Sequence, residues 1–174
     1  MRFLVLVLAL SLFADPAQDG KVLYFGTKER TEGWLKDFAA QGGRRLEVVI
    51  LPAGKALPNA YGDYVMGYGG QAHDDVALPN PAFFQYLDWV LKRAEAQKIQ
   101  IALLAMHPDS ALMAGNSKEK MFEWGRYLGR RYVKAKNLVW LRAPKGKTGS
   151  LAALEEGIRD FDLAHRFEDS GGFR

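Results

Sequence analysis

Apolar and polar positions along this chain follow two rhythms: short, nearly continuous apolar runs, and longer stretches in which apolar residues return at helical spacing. The first run is Lys21–Phe25, closing at Gly26. Behind it Thr31 is the expected N-cap, Trp34 and Phe38 share a helix face, and Gly42–Gly43 stops the helix. The second run, Leu46–Leu51, is rich in β-branched residues and ends at Pro52; the third is Ile99–Leu104, broken only by Gln100; the fourth is Leu138–Leu141. The helix ahead of the third run has the clearest start, with Asn80 as cap and Pro81 in the first turn, where a missing N–H costs nothing. Phe84, Leu87, Leu91 and Ala94 then fall on one face. A further helix begins near Asn116–Ser117 and turns Met121, Gly125, Leu128 and Tyr132 inward. The last carries Leu151, Leu154, Ile158 and Phe161 on one side, with Glu155, Glu156, Arg159 and Asp160 around the rest.

Strands alternating with helices imply parallel pairing through right-handed crossovers, and strands this apolar are buried on both faces. The expected fold is therefore α/β, four βα units on a parallel sheet over residues 21–165, with 166–174 as a C-terminal tail. Trp34, Trp89, Trp124 and Trp140 lie on these patterns and are expected in the core. Binding chemistry in such folds gathers where strands give way to loops, here Gly26–Arg30, Pro52–Pro79, Ala105–Ser117 and Arg142–Gly149. The second of these is too long for an idle connection and holds Tyr61, Tyr64, Tyr68 and His73, so it reads as a functional lid or a disordered flap.

Length and charge narrow the picture. At 174 residues the chain has the size of one domain and is short for a complete eight-fold βα barrel. Met1–Ala14, with Arg2 ahead of the apolar run Phe3–Leu10, has the pattern of a signal peptide, although the same run could pair as a buried first strand. It is too short to span a bilayer, which takes about 20 residues. Export to a secreted or periplasmic location, with no membrane attachment after signal removal, is the expectation. Removing that segment lowers the formal charge from +4 to +3, and the basic residues are scattered apart from the neighbourhoods of Lys134–Lys136 and Lys145–Lys147. Nucleic acid is not an expected partner. The absence of cysteine excludes disulfides and thiolate catalysis.

Candidate chemistry is sparse. His73, His107 and His165 lie in separate segments without metal-ligand spacing, so neither a metal nor a cofactor is expected. His73–Asp74–Asp75 reads as a solvated loop more readily than as a divalent-ion site. His107 follows the third run, where a barrel would contact its ligand. Tyr61 and Asp63 together could hold a sugar ring, by stacking and by hydroxyl hydrogen bonds, while Asn59–Asp63 also has the composition of a plain turn. Glu47 needs a partner if it faces inward, and Arg142 is the candidate. Gly42–Gly43 and Gly69–Gly70 do not form a phosphate-binding fingerprint.

Four stretches in register add a further expectation: Pro58–Asp63, Asn80–Val90, Trp124–Tyr132 and Asn137–Trp140. In this order and spacing they resemble the apiosidase-like glycoside hydrolases, a (β/α)8-barrel family acting on plant polysaccharide side chains. The resemblance runs from Val22 to Asp162 and implies that this chain corresponds to the first half of the barrel. It also implies carboxylates that are not found. Where the family has Gly-Asp-Thr, this chain has Gly26–Thr27–Lys28. Where the family has the catalytic Asp after its fourth strand, the aligned residue is Lys145. The second acid is expected on a later strand, past Arg174. Glycoside hydrolysis usually needs two carboxyl groups facing each other, about 5–5.5 Å apart in retaining enzymes or about 6.5–9.5 Å in inverting ones. The resemblance thus implies a non-catalytic relative with no catalytic residues, a carbohydrate- or partner-binding module with Tyr61, Asp63, His107, Arg142 and Lys145 as its ligand-binding candidates. The alternative is a hydrolase whose barrel is completed by a second chain or a second copy. A homodimer would also close the open edges of half a barrel.

Overall fold

A computed structural model describes residues 22–143 and 149–170. The signal-peptide segment and Lys145 lie outside the described residues. The chain opens with a four-residue helix, α1 (Val22–Phe25), and α2 (Lys28–Ala40), followed by strand β1 (Arg45–Leu51). A small hairpin, β2 (Gly67–Tyr68) and β3 (Gln71–Ala72), leads to α3 (Pro81–Ala96) and β4 (Gln100–Met106). Then come α4 (Lys118–Tyr132), β5 (Leu138–Arg142), α5 (Gly149–Phe161) and β6 (Phe167–Asp169). β1, β4, β5 and β6 form one parallel sheet in the order β1-β4-β5-β6. The α/β class and the four-stranded parallel sheet expected from the sequence are therefore present.

The membership of that sheet differs from expectation at both ends. Lys21–Phe25 was expected as the first strand, yet Val22–Phe25 is helical. A short apolar run suits strand or helix equally, and burial decides. Val22, Leu23 and Tyr24 are buried against β1 and α3. The Tyr24 ring lies 5.7 Å from Phe83, and its hydroxyl donates to the Ile50 carbonyl. The fourth strand comes instead from the segment expected as a tail. Phe167 stacks on Trp140, ring centroids 6.3 Å apart, and pairs with it across the sheet.

Capping explains the helix starts. Thr27, not Thr31, caps α2, its hydroxyl accepting from the Arg30 N–H; Thr31 is buried one turn inside. Asn80 and Ser117 cap α3 and α4 as their sequences suggest. The long connection after β1 is packed onto the fold. Val65, Met66 and Val76 are buried in it. Asn116 accepts from the Val76 N–H and donates to the Asp74 carbonyl, and the Asn80 amide donates to the Tyr64 carbonyl.

Alternate strand residues face opposite sides of the sheet. On the helical side Leu46, Val48, Ile50, Ile101, Leu103 and Trp140 join Phe83, Phe84, Trp124, Leu128 and Ile158 in the main core. On the other side Val49, Ala102, Leu104, Val139 and Leu141 form a separate apolar cluster. Trp124 and Trp140 are core residues as expected, whereas Trp34 and Trp89 are only partly buried.

Arg45 and Glu47 share the face of Val49, and Glu168 shares the face of Leu141, its partner in the sheet. Arg45 Nη1 lies 2.7 Å from Glu168 Oε2, 3.4 Å from Gln100 Oε1, and its other terminal nitrogen is 3.8 Å from Glu47. β1 and β6 are the two outer strands, which in a flat sheet would stand roughly 14 Å apart, three spacings of about 4.8 Å. An ion pair between them means that the sheet curls as part of a barrel wall does. Glu47 thus pairs with Arg45, and the expected partnership with Arg142 is not formed: Arg142 turns to the helical side, toward Glu155 and Asp169.

Candidate functional site

The loop that carries Tyr61 and Asp63 is shaped by one buried side chain. Asn59 accepts with its amide oxygen from the backbone N–H of Tyr61 and of Asp63, each at 2.9 Å. Its own N–H donates to the Asp63 carbonyl at 2.8 Å, and Gly62, at φ +84°, completes the reversal. The turn lifts Tyr61 into solvent, where it is 49% exposed. The Tyr61 hydroxyl then accepts from the Lys28 N–H at 2.7 Å, joining this loop to the start of α2.

Tyr86 fixes the same corner from below. Its hydroxyl donates to the Gly26 carbonyl at 2.8 Å and accepts from the Thr31 hydroxyl at 2.8 Å. Burial pushes the Tyr86 phenol up from its ordinary range, so it stays a donor. Gly26 is required here, because an added Cβ would come within 3.0 Å of the Thr31 hydroxyl. Tyr61 meets Tyr86 edge-on at 5.7 Å, and Tyr86 stacks on Trp89 at 5.9 Å with 12° between the rings. Above Trp89 stand Lys28, its ammonium 5.9 Å from the ring centroid, and Arg93, its guanidinium 5.7 Å away.

The remaining candidates lie elsewhere. His107 follows β4; its Nδ1 accepts from the Asp109 N–H at 3.0 Å, and its backbone N–H donates to Leu51 at 2.8 Å. Those bonds hold two loops together at the strand ends. Arg142 closes β5, 3.1 Å from Glu155, which Arg159 also binds at 3.0 Å. Beside it, between β4, β5 and α5, is a cavity of about 30 Å³. That volume suits a water molecule and not a sugar ring. His165 bonds Asp162 and the Ala135 carbonyl. Among the described residues no group of three His, Asp or Glu could hold a metal, and no helix is long and apolar enough to cross a membrane.

Tyr61, Tyr86 and Trp89 come from two of the sequence stretches that carry the family resemblance, and they converge on Gly26–Lys28, where a third family position falls. Residues 23–168 match the family described as apiosidase-like, catalytic domain. The chain belongs to the apiosidase-like family. No curated protein matches this apiosidase-like chain. Among solved structures, a glycoside hydrolase family 5 protein from Bacteroides vulgatus has a TM-score of 0.71 at 20% identity, covering 85% of this chain and 33% of its own. A second glycoside hydrolase gives 0.68 at 18% identity, with 83% and 33% covered. A third gives 0.55 at 17%, with 85% and 50% covered. At these identities the likeness is one of fold, that of part of a TIM-barrel glycoside hydrolase. The chain spans about a third of the length of the first two.

Tyr61 was a candidate from the sequence and Lys28 lay in an expected binding segment, whereas Trp89 was expected in the core and Tyr86 and Arg93 were not ligand-binding candidates. The usable signal was the i, i+3 spacing of Tyr86 and Trp89, which puts both rings on one strip of α3.

Proposed function

We propose that this apiosidase-like chain acts as a non-catalytic, carbohydrate-binding relative of the hydrolases, with the Tyr61 corner as its binding surface. The observation that carries this reading is the use made of Thr27. It stands where the family resemblance calls for a carboxylate, and its hydroxyl is spent on capping α2. A threonine hydroxyl used as a helix N-cap cannot take the part of that carboxylate, so one of the family's acids is missing from this corner. What remains at this corner is an exposed tyrosine ring beside the half-buried Asp63 carboxylate, whose described side-chain bond is a 3.5 Å contact with the Asn59 amide. That combination offers a face for stacking and acceptors for sugar hydroxyls.

Calorimetric titration with pectin-derived oligosaccharides tests the reading. Binding should fall at least tenfold in Tyr61→Ala, with the circular dichroism spectrum unchanged. Product analysis of the same mixtures supplies the opposing result: turnover that disappears in Asp63→Asn would establish a hydrolase. Export is part of the proposal, supported by the pattern of Met1–Ala14. It is checked by the intact mass of protein recovered outside the cytoplasm, which should begin after Ala14.

A further inference from the structure

We infer that the end of the sheet where its strands begin docks on an anionic phospholipid surface, through lysines and arginines set around the protruding Leu163. This face is independent of the carbohydrate-binding reading, since the Tyr61 loop follows the other end of β1. The strands are parallel, so the residues that lead into them share one end of the fold. Arg44 stands ahead of β1, Lys98 ahead of β4, and Lys134 and Lys136 ahead of β5; all four are exposed. The His165 Nε2 reaches the Ala135 carbonyl at 2.5 Å, which seats the turn into β6 beside those last two lysines. On that turn Leu163 is 85% exposed, and the Arg130 guanidinium lies 4.4 Å from the ring of nearby Phe161. Basic residues that are scattered in the sequence are thus gathered by folding.

The charge is not cancelled locally. Arg44 donates to the Ala39 and Gly43 carbonyls, and neither it nor Lys98, Arg130, Lys134 or Lys136 pairs with a described carboxylate. Of the acids toward this end, Glu47 and Glu168 are held by Arg45, Asp160 by Arg126, and Asp162 is buried. Asp37 and Glu95 remain exposed, too few to balance the five cations. Lys98 supplies an independent observation. α2 and α3 end in the same turn, the Gly43 N–H donating to the Phe38 carbonyl and the Ile99 N–H to that of Ala94. The left-handed residue of the first turn is Gly42, at φ +93°; that of the second is Lys98, at φ +58°. A lysine there costs stability that glycine would not, and such strain is met where a side chain is used. Cations around a projecting leucine suit a bilayer of acidic lipids: the charges meet headgroups, and the leucine enters the boundary beneath them. The contact is peripheral and reversible, and it leaves the Tyr61 corner facing away from the lipid.

Co-sedimentation is the test, with vesicles of phosphatidylcholine alone or mixed with an equal part of phosphatidylglycerol. The chain should bind the acidic vesicles about tenfold more tightly, and added salt should weaken that binding, since screening acts on exposed charges. Residues 1–20 are common to all variants, so differences among the variants report this face alone. The double variant Lys134→Gln, Lys136→Gln should weaken binding to acidic vesicles about fivefold, with thermal melts verifying its folding. Leu163→Ser should weaken it too while keeping the salt dependence. Lys98→Gly separates function from fold: its melting temperature should rise while its vesicle binding falls. Equal binding to the two kinds of vesicle, or binding to neither, would overturn the inference. So would acidic-vesicle binding that is unchanged in both the Lys134 and Lys136 double variant and Lys98→Gly.

Discussion

Asp162 is 1% exposed, and the side chains around it explain how a carboxylate tolerates that position. Trp140 donates its indole N–H to one oxygen at 2.8 Å, and His165 Nδ1 lies 2.7 Å from the same atom. The backbone N–H groups of Ala164 and His165 donate to the other oxygen at 3.2 and 3.1 Å. His165 Nε2 in turn reaches the Ala135 carbonyl, so one acid ties the end of α5 to β5 and to the turn behind α4. Asp162→Ala strands both the indole N–H and the imidazole. Leaving those buried donors without an acceptor should cost about 1–3 kcal/mol each, and urea unfolding checks the loss. His165 shows how chemistry-bearing residues mislead when read singly. Its lack of metal spacing was visible in the sequence, but its role was not, because Asp162 and Ala135 become its neighbours only through folding. Tyr61 was legible for a different reason: its turn is local, set by Asn59 two residues before it. Lys28 and Arg93 were hidden because they meet only when α2 packs against α3.

The contact between α4 and α5 belongs to the scale of elements, and three glycines set it. A Cβ added at Gly125 would come within 3.0 Å of the Leu154 carbonyl oxygen, one at Gly129 the same to Ile158, and one at Gly157 the same to Phe122. The two backbones touch, and no side chain larger than hydrogen fits between them. Gly125→Ala and Gly157→Ala should each destabilise by about 1–3 kcal/mol through overpacking. Gly33 in α2 is the control: nothing lies within 4 Å of its added Cβ, and it is exposed. There Ala should stabilise by about 0.8–1 kcal/mol on helix propensity alone. Thermal melts of the three variants read both signs. Helices were the most legible elements because caps such as Asn80 and Ser117 and the spacing of Met121, Leu128 and Tyr132 are local signals. The run expected as the first strand and the true last strand were not. Val22–Phe25 is too short for periodicity to separate helix from strand, and Phe167–Asp169 is a strand only because Trp140 and Arg142 lie beside it.

At the scale of the molecule, the curled sheet carries an apolar cluster on its concave side, and the link from Arg45 to Glu168 crosses that side between the two outer strands. β6 has only three residues, so its place beside β5 depends on such side-chain anchors. Glu168 is held at 2.7 Å by Arg45 and at 2.6 Å by Arg166, with Glu47 also near Arg45. The Arg45 hydrogen bond is the main reason its carboxyl titrates below the ordinary glutamate range, with the charge of Arg166 adding to it. The sign of the pH effect follows. A carboxylate whose folded value lies below its unfolded value stabilises the fold above the unfolded value, about 4.3 for Glu, and that contribution is lost as pH falls through the folded one. Acid should therefore loosen β6 before the helices unfold. Glu168→Gln removes the titrating group, and Arg45→Ala removes its main partner. Each variant should flatten the decline in stability between pH 5 and pH 3 relative to the unaltered chain, in parallel urea titrations. Each should also increase binding of a hydrophobic dye at neutral pH, as Val49, Leu104 and Leu141 lose their cover, and should promote self-association visible by sedimentation at micromolar concentration. If neither variant self-associates more or binds more dye than the unaltered chain, and the pH dependence is intact, the link is a surface ornament and the packing alone sets the curl of the sheet.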